Sequence, residues 1–212
     1  MADTTETGPG DRAGRPTGRA DARRNRERLL AAAEEVFATS GPTASLNQIA
    51  RRAGVGPGTL YRHFPGRDAL LAGVLDERID RLTRRADALL TAPEADRALA
   101  DWLAAFLDHA RSQQGLGSAL LLARSSEFGL DCHHRLRAAA GALLDRAQAS
   151  GGTRPDITTD EMLRLVVGVA LATVETAADD AAPGPAEDPP PTPQRLLGLV
   201  LDALGGPAPP QR

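Results

Sequence analysis

The sequence is short of several residue types, and each shortage narrows the class of protein. Its 212 residues include no lysine, so all 25 basic residues are arginine. Aromatic side chains are also scarce, with four Phe, one Trp and one Tyr. A chain rich in Ala, Leu and Arg but poor in β-branched and aromatic residues favours helices over sheets. We therefore expect an all-α protein.

Cysteine and long apolar runs are equally scarce. The single cysteine, Cys132, excludes an internal disulfide framework and fits a reducing cytoplasm. No apolar segment typical of a signal peptide is evident near the N-terminus. The longest nearly apolar run, residues 165–174, is too short for a membrane span, which needs about 20 residues. These features predict a soluble, cytoplasmic protein that does not enter a membrane.

The net charge of −3 is unevenly distributed along the chain. Residues 1–67 carry 11 arginines against 7 acidic residues, whereas residues 68–212 carry 14 arginines against 21 acidic residues. A basic N-terminal part on an acidic body favours an anionic partner for the first part only, although an ordinary solvated surface can show the same imbalance.

Composition divides the chain into a tail, a short N-terminal domain and a larger body. Residues 1–21, rich in Gly, Pro, Thr, Arg and Asp without apolar periodicity, predict a disordered tail. Residues 22–66 predict three short helices, residues 67–206 a helical body, and residues 207–212 a second tail. The further helical segments are expected at about 66–90, 94–113, 116–127, 131–150, 158–178 and 192–204.

The most informative stretch is residues 45–64, with the sequence SLNQIARRAGVGPGTLYRHF. Ser45 and Gln48 have the spacing of a capping box at the start of a helix. Gly54 can adopt the left-handed conformation that ends this helix, and Pro57 suits the first position of the next one. Two short amphipathic helices joined by a tight turn make a helix-turn-helix, whose second helix can enter the DNA major groove.

The second of these helices has an apolar face and a polar one. Leu60 and Phe64 are expected in the core, which leaves the other side chains pointing outward. These are Pro57, Thr59, Tyr61, Arg62 and His63. An exposed Tyr beside Arg and His fits contacts with phosphates and base edges. The alternative is a purely structural helical hairpin within a bundle.

The stretch from Arg24 to Arg67, with AGVGPGTLYRHF followed by RDALL, resembles the DNA-binding domain of the TetR family of repressors. The segment from Trp102 to Leu122 and the ending RLLGLVLDALGG are similar to the C-terminal domain of SbtR-like regulators of actinobacteria. The resemblance implies an all-α fold of about nine helices, in which a three-helix DNA-binding domain precedes a ligand-binding and dimerisation domain. It also implies a repressor that binds a palindromic operator as a homodimer and is released by a small-molecule effector.

We expect contacts with operator DNA at ten positions, several of them implied by this resemblance. They are Ser45, Asn47, Gly56, Pro57, Gly58, Thr59, Tyr61, Arg62, His63 and Arg67. The resemblance places Tyr61 and His63 at the DNA backbone and pairs Arg67 with a phosphate. Arg62 occupies a variable position and is a candidate for base specificity. Gly56 departs from the Ser or Thr of many relatives and can cap the helix only with its backbone.

An arginine series near the N-terminus allows two interpretations. It could form an arm that reaches a flanking minor groove, or a solvated tail that adds only nonspecific affinity. The series comprises Arg12, Arg15, Arg19, Arg23, Arg24, Arg26 and Arg28.

The body supplies candidates for an effector pocket and for a dimer interface. The pocket candidates are Trp102, Phe106, His109, Leu120, Arg124, Phe128, Cys132 and His133. The first three share a helix face, although an ordinary core has the same pattern. The dimer candidates are Leu163, Val167, Ala170, Leu171, Val174, Leu197, Val200, Leu201 and Leu204. So wide an apolar face must be covered on more than one side, by a second subunit or by a monomeric core.

Other functions find less support in the sequence. Asp131, Cys132, His133 and His134 cannot converge on one metal ion, because consecutive helical residues point about 100° apart. Asp131 is instead expected to cap a helix that starts there. We find no nucleophile or carboxylate-pair motif, and expect no catalysis, metal or cofactor. The rival hypothesis is a helical small-molecule-binding or interaction protein whose helix-turn-helix no longer reads DNA, suggested by Gly56 and the sparse polar groups on the second helix.

Overall fold

The structure, a computed structural model, describes residues 18–112, 127–178 and 191–205. Within these ranges the chain forms eight helices, and the one β-type pairing is an isolated bridge between Thr153 and Gly205. The helices are α1 (Gly18–Ser40), α2 (Leu46–Arg52), α3 (Pro57–His63), α4 (Arg67–Leu89), α5 (Ala95–Ser112), α6 (Glu127–Ser150), α7 (Thr159–Ala178) and α8 (Pro193–Leu204). The predicted all-α fold is confirmed. The predicted segment 116–127 lies outside the described residues, except for its last residue.

The first hydrophobic core is built by α1, α2, α3 and the start of α4. Its central side chains, Leu29, Ile49, Leu60 and Leu70, are almost completely buried. The small residues Ala50 and Ala53 are buried beside them and let the short helices approach α1 closely. This core fixes the helix-turn-helix on a rigid support.

The second core is built by the end of α4 together with α5, α6, α7 and α8. Trp102 of α5 lies at its centre with no exposed surface, stacked on Phe106 with ring centroids 5.6 Å apart. Its indole N–H donates a hydrogen bond to the carbonyl of Leu82 at 2.9 Å, which satisfies its one polar atom. Met162 and Leu143 pack around it.

Helix α4 contributes to both cores. Its first half supplies Leu70 and Val74 to the first core, and its second half supplies Leu82 and Ala86 to the second. A helix of this length spans about 35 Å. Helix α4 therefore links the helix-turn-helix to the body. Among the described helices, none is long and apolar enough to cross a membrane.

Two predicted helix starts are wrong. Helix α1 begins at Gly18, inside the tail predicted for residues 1–21, because its first turns are exposed and bury no apolar stripe that periodicity could reveal. Helix α6 begins at Glu127, so Asp131 lies inside a helix and does not cap one. Its exposed carboxylate instead lies 3.7 Å from Arg135, one turn later.

Candidate nucleic-acid interface

The turn between α2 and α3 has a defined hydrogen-bond pattern. Gly54 has a φ of +67°, and its N–H donates to the carbonyl of Arg51 at 3.1 Å. The N–H of Val55 donates to the carbonyl of Ala50 at 3.0 Å. These two bonds form a Schellman motif, which ends α2 and sets the direction in which α3 begins. The left-handed role predicted for Gly54 is confirmed.

Helix α3 has one buried face and one exposed face. Leu60 and Phe64 are 1% and 3% exposed, and they hold the helix on the first core. On the opposite face, Tyr61 is 50% exposed and Arg62 is also exposed. No hydrogen bond or ion pair to another described residue engages the Tyr61 hydroxyl or the Arg62 guanidinium. Both groups can therefore meet a partner without breaking an existing interaction.

At the start of α3 the backbone is exposed, so a partner molecule can approach it closely. Gly56, Pro57 and Gly58 are exposed, and a methyl group added at Gly56 or Gly58 would meet nothing within 4 Å. Gly56 caps the helix through its carbonyl, which accepts from Thr59 N at 3.0 Å. Thr59 itself is half-buried, so its side chain stands at the edge of the surface.

Two predicted contacts, Ser45 and Asn47, lie at the start of α2. Asn47 and Ser45 are exposed. Ser45 is the N-cap residue of α2, but its side chain makes no capping hydrogen bond, so the predicted capping box with Gln48 is wrong. The Ser45 carbonyl alone starts the helix, accepting from Gln48 N at 3.0 Å. Its hydroxyl therefore remains available for a phosphate.

His63 and Arg67 differ from the other predicted contacts. The His63 ring is half-buried and tilted against Phe64, with ring centroids 6.5 Å apart. Arg67 Nη1 donates to the carbonyl oxygens of Pro42 and Ala44, at 2.5 and 2.7 Å. Nη1 thus fixes the α1–α2 loop, and the contact of Arg67 with a phosphate stays a prediction.

Two arginines of the surface were not predicted. Arg51 and Arg52 occupy the last turn of α2 and are exposed beside the turn. Arg52 pairs with Glu35 of α1 at 2.5 Å, whereas no ion pair to a described residue holds Arg51. Their place next to the Gly54 turn was the signal that could have identified them.

The predicted effector-pocket residues on α5 pack on one another. Trp102 and Phe106 are buried, and His109 is stacked on Phe106 with centroids 6.2 Å apart. Burial, followed by the positive charges of Arg78 and Arg81, lowers the pKa of His109 to about 4, against the opposing charge of Glu34.

The remaining pocket candidates lie in α6 or outside the described residues. Cys132 is buried, where desolvation and the nearby carboxylates of Asp76 and Asp131 raise its pKa to about 11. His133, the next residue of α6, is exposed, and its place in a pocket stays a prediction. Leu120, Arg124 and the side chain of Phe128 lie outside the described residues.

One surface cleft of about 210 Å³ lies elsewhere, between α1 and α4. Its lining combines three apolar residues with four charged ones: Leu30, Ala31, Val74, Glu27, Glu34, Glu77 and Arg81. Among the described residues, no group of three or more His, Cys, Asp or Glu side chains is arranged to hold a metal ion.

The predicted dimer residues divide into buried and exposed sets. Leu163, Ala170, Leu197 and Leu204 are at most 7% exposed, because they fill the core of the protomer itself. Their part in a subunit interface stays a prediction. Val167 and Leu171 are 39% and 54% exposed on α7, while Val200 and Leu201 are half-buried on α8. The side chain of Val174 lies outside the described residues. Sequence reasoning missed Leu165 and Leu199, which are 46% and 55% exposed.

Comparison with known proteins assigns both parts of the chain. Residues 29–74 match the family described as "Bacterial regulatory proteins, tetR family". Residues 94–205, just over half of the chain, match the domain described as "Transcriptional regulator SbtR-like, C-terminal domain". The chain belongs to the TetR family. Both resemblances seen in the sequence are thereby confirmed.

Similar solved structures and curated proteins support this assignment. A TetR transcriptional regulator from Streptomyces coelicolor is 35% identical, with a TM-score of 0.70, and the match covers 86% of this chain and 99% of that one. A regulator from Mycobacterium vanbaalenii is 34% identical, with a TM-score of 0.62 and coverage of 76% and 97%. An HTH-type transcriptional repressor of Mycobacterium tuberculosis is 39% identical over 90 residues, 42% of this chain and 46% of that protein. The chain thus spans about half the length of the curated relatives it matches.

Proposed function

We propose that this TetR-family chain is a one-component repressor of the bacterial cytoplasm. It binds a palindromic operator as a homodimer and releases it when a small molecule binds in the helical body. The observation that carries the proposal is the exposed face of α3, where Tyr61 and Arg62 project from a helix whose other face is buried. A structural hairpin gains nothing from an aromatic side chain that is half in water. At a DNA surface the hydroxyl can bind phosphate and the guanidinium can read guanine.

Dimerisation is supported by where large apolar side chains remain exposed. Among the described residues, Tyr61 of α3 is one of five such side chains. The others are Leu165, Val167 and Leu171 of α7 and Leu199 of α8. Helices α7 and α8 pack on each other, so these four residues can extend one apolar surface that a second copy would cover. Two copies bring two recognition helices to half-sites about one DNA turn apart.

Release by an effector requires a connection between body and helix-turn-helix, and α4 provides one. Arg135 of α6 holds Asp76 and Asp80 on one side of α4, with Nη1 2.8 Å from Asp76 Oδ1. Glu34 of α1 binds Arg78 and Arg81 on another side, at 2.9 and 2.7 Å. An effector that favours a different position of α4 in the body would change the separation of the two α3 helices and weaken their fit to the operator.

The proposal is tested by selecting bound DNA from a random duplex pool at near-physiological salt. The protein is first refolded from denaturant, so that any bound small molecule is removed. We expect a palindrome from the wild-type chain, and a relaxed preference at one position of each half-site from Arg62→Gln. The matched control is Arg97→Gln, an exposed arginine of α5 with the same charge change. Recovery of no selective sequence from the folded wild type would refute the proposal and favour a binding protein that does not read DNA.

A further inference from the structure

The first eleven residues of α1, Gly18–Arg28, contribute no buried residue to either core. The first buried residue of α1 is Leu29. The segment before it is helical, contains five arginines against Asp21 and Glu27, and extends about 16 Å beyond the core. An exposed helical segment of this length without an apolar face gains no packing energy within the protomer. Its conformation and charge therefore need another explanation.

Three of these arginines share one face of the helix. Arg19, Arg23 and Arg26 are spaced i, i+4 and i+7, which aligns side chains along a helix. The same spacing continues into the core through Leu30, Ala33 and Phe37, all buried. In the second half of α1 this face packs against the helix-turn-helix. In the first half the same face carries Arg19, Arg23 and Arg26, which we call the arginine stripe.

The arginine stripe begins beside the proposed recognition helix. The guanidinium carbon of Arg26 lies 5.4 Å from the centre of the Phe64 ring, directly after α3. Arg28 reaches the turn before α3, since a methyl group added at Gly54 would lie 3.7 Å from Arg28 Nη1. The projecting part of α1 therefore starts beside the helix-turn-helix, and Arg23 and Arg19 lie one and two turns farther along the same helix.

Local interactions leave the stripe accessible to an anion. Arg23 forms an ion pair with Glu27 at 3.4 Å, but its side chain is 79% exposed. Such an exposed pair contributes little and can be exchanged for a stronger one with phosphate. Arg24, which points to a different face, is held by Asp21 one turn earlier. Among the described residues, no ion pair engages Arg19 or Arg26.

We infer that the arginine stripe is a second DNA contact, which binds backbone phosphates flanking the half-site read by α3. This inference rests on the proposed function, because it requires a duplex seated on α3. DNA held there brings the adjacent phosphates within reach of long side chains on the helix beside it. Phosphate contacts add affinity and salt dependence without reading sequence, so the stripe strengthens binding and leaves the preferred operator unchanged.

The test measures the salt dependence of binding to the selected operator, carried on a duplex with roughly one extra helical turn on each side. The variant Arg19→Gln/Arg23→Gln keeps good helix-forming residues and retains Arg26 against Phe64. Two arginines in each of two protomers correspond to four phosphate contacts. Between about 50 and 200 mM salt, the wild type should lose about a hundredfold more affinity than this variant. On a duplex trimmed to the operator itself, the two proteins should show the same salt dependence.

The matched control is Arg85→Gln/Arg97→Gln, which removes the same charge from exposed positions of α4 and α5. It should behave as the wild type on both duplexes. Equal salt dependence of the stripe variant and the wild type on the long duplex would overturn the inference. The proposed function would still stand in that case if Arg62→Gln relaxes the selected sequence. If the wild type selects no DNA, both fail.

Discussion

Arg78 of α4 donates a hydrogen bond from Nε to Glu34 Oε1 of α1 at 2.9 Å. The same guanidinium donates from Nη1 to the Ser112 hydroxyl of α5 at 2.6 Å, and Arg78 is only 7% exposed. Arg78 therefore links α4 to α1 of the first core and to α5 of the second. Arg81 Nη2 donates to both oxygens of Glu34, at 2.7 and 2.9 Å, so the carboxylate is shared between two turns of α4. The junction of the two cores depends on charge as well as on apolar packing.

Replacing Arg78 with Met should destabilise the protein by about 1–3 kcal/mol. Loss of a buried ion pair costs more than loss of an exposed one, because it leaves a desolvated charge behind. The effect falls short of the full cost of a buried pair, since Glu34 is 31% exposed and keeps Arg81. Urea denaturation at neutral pH measures the change in the free energy of unfolding.

The control for this prediction is Arg84→Met, which removes the more exposed pair between Arg84 and Glu77 on the same helix. Exposed pairs contribute about 0–1 kcal/mol. If Arg78→Met costs no more than Arg84→Met, the junction is held by apolar contacts alone.

The low pKa of His109, about 4 against an ordinary 6.5, predicts a specific pH dependence of stability. Below the ordinary value the unfolded chain binds a proton that the folded chain does not bind. The free energy of unfolding should therefore fall as the pH falls from 6.5 towards 4. Between about pH 7 and about pH 5, the contribution is about 2 kcal/mol.

Comparison with His109→Phe isolates this contribution, because Phe keeps a ring against Phe106 but cannot bind a proton. The loss of unfolding free energy between about pH 7 and about pH 5 should be larger for the wild type by about 2 kcal/mol. Equal losses in the two proteins would show that other groups, such as the carboxylates, account for the acid sensitivity.

Gly73 of α4 is required by the close approach of α3. A methyl group there would lie 2.8 Å from Phe64 Cε1 and 3.1 Å from Leu30 Cδ2, and both side chains are buried. The overpacking in Gly73→Ala should outweigh the gain in helix propensity, with a net loss of about 1–2 kcal/mol. Gly58→Ala is the control, because open space surrounds that position. Thermal unfolding measures the melting temperature of each variant. A melting temperature of Gly73→Ala equal to or above that of Gly58→Ala would contradict this account.

The sequence alone predicts those structural features that short-range backbone preferences and side-chain spacing determine. The Gly54 turn and the bounds of α3 follow from backbone preferences of Gly and Pro within a few residues. The buried face of α3 follows from the spacing of Leu60 and Phe64. These features need no knowledge of distant parts of the chain.

Features that depend on tertiary packing could not be predicted in the same way. Leu163 and Leu171 are both apolar residues of α7, yet one is buried within the protomer and the other is 54% exposed. Periodicity places both on a wide apolar face but cannot tell which side meets α5. The partners of Arg67 are likewise carbonyls more than twenty residues earlier in the chain. Such contacts arise only when the loop and the helix are brought together.

Replacing Leu171 with Glu should shift the proposed dimer towards monomers. A carboxylate at the centre of an apolar interface would be desolvated without a partner. Sedimentation velocity measures the oligomeric state, and the variant should also lose most of its affinity for the palindrome while keeping weak half-site binding. The control is Ala104→Glu, at an exposed position of α5. A dimeric Leu171→Glu protein would place the subunit interface elsewhere.

Variants of Arg67 and Arg62 should distinguish a residue that supports the DNA-binding surface from one that contacts DNA. Arg67→Gln removes the donor that holds Pro42 and Ala44, so the free energy of unfolding should fall by about 2 kcal/mol. Arg62→Gln breaks no hydrogen bond to a described residue and should leave stability within about 0.5 kcal/mol of the wild type. Both variants should weaken operator binding, Arg62→Gln directly and Arg67→Gln because the α1–α2 loop positions Ser45 at the start of α2. Urea denaturation and operator titration on the same preparations distinguish the two roles. If Arg67→Gln unfolds like the wild type but binds DNA as weakly as Arg62→Gln, the Arg67 guanidinium leaves the loop carbonyls and binds phosphate directly.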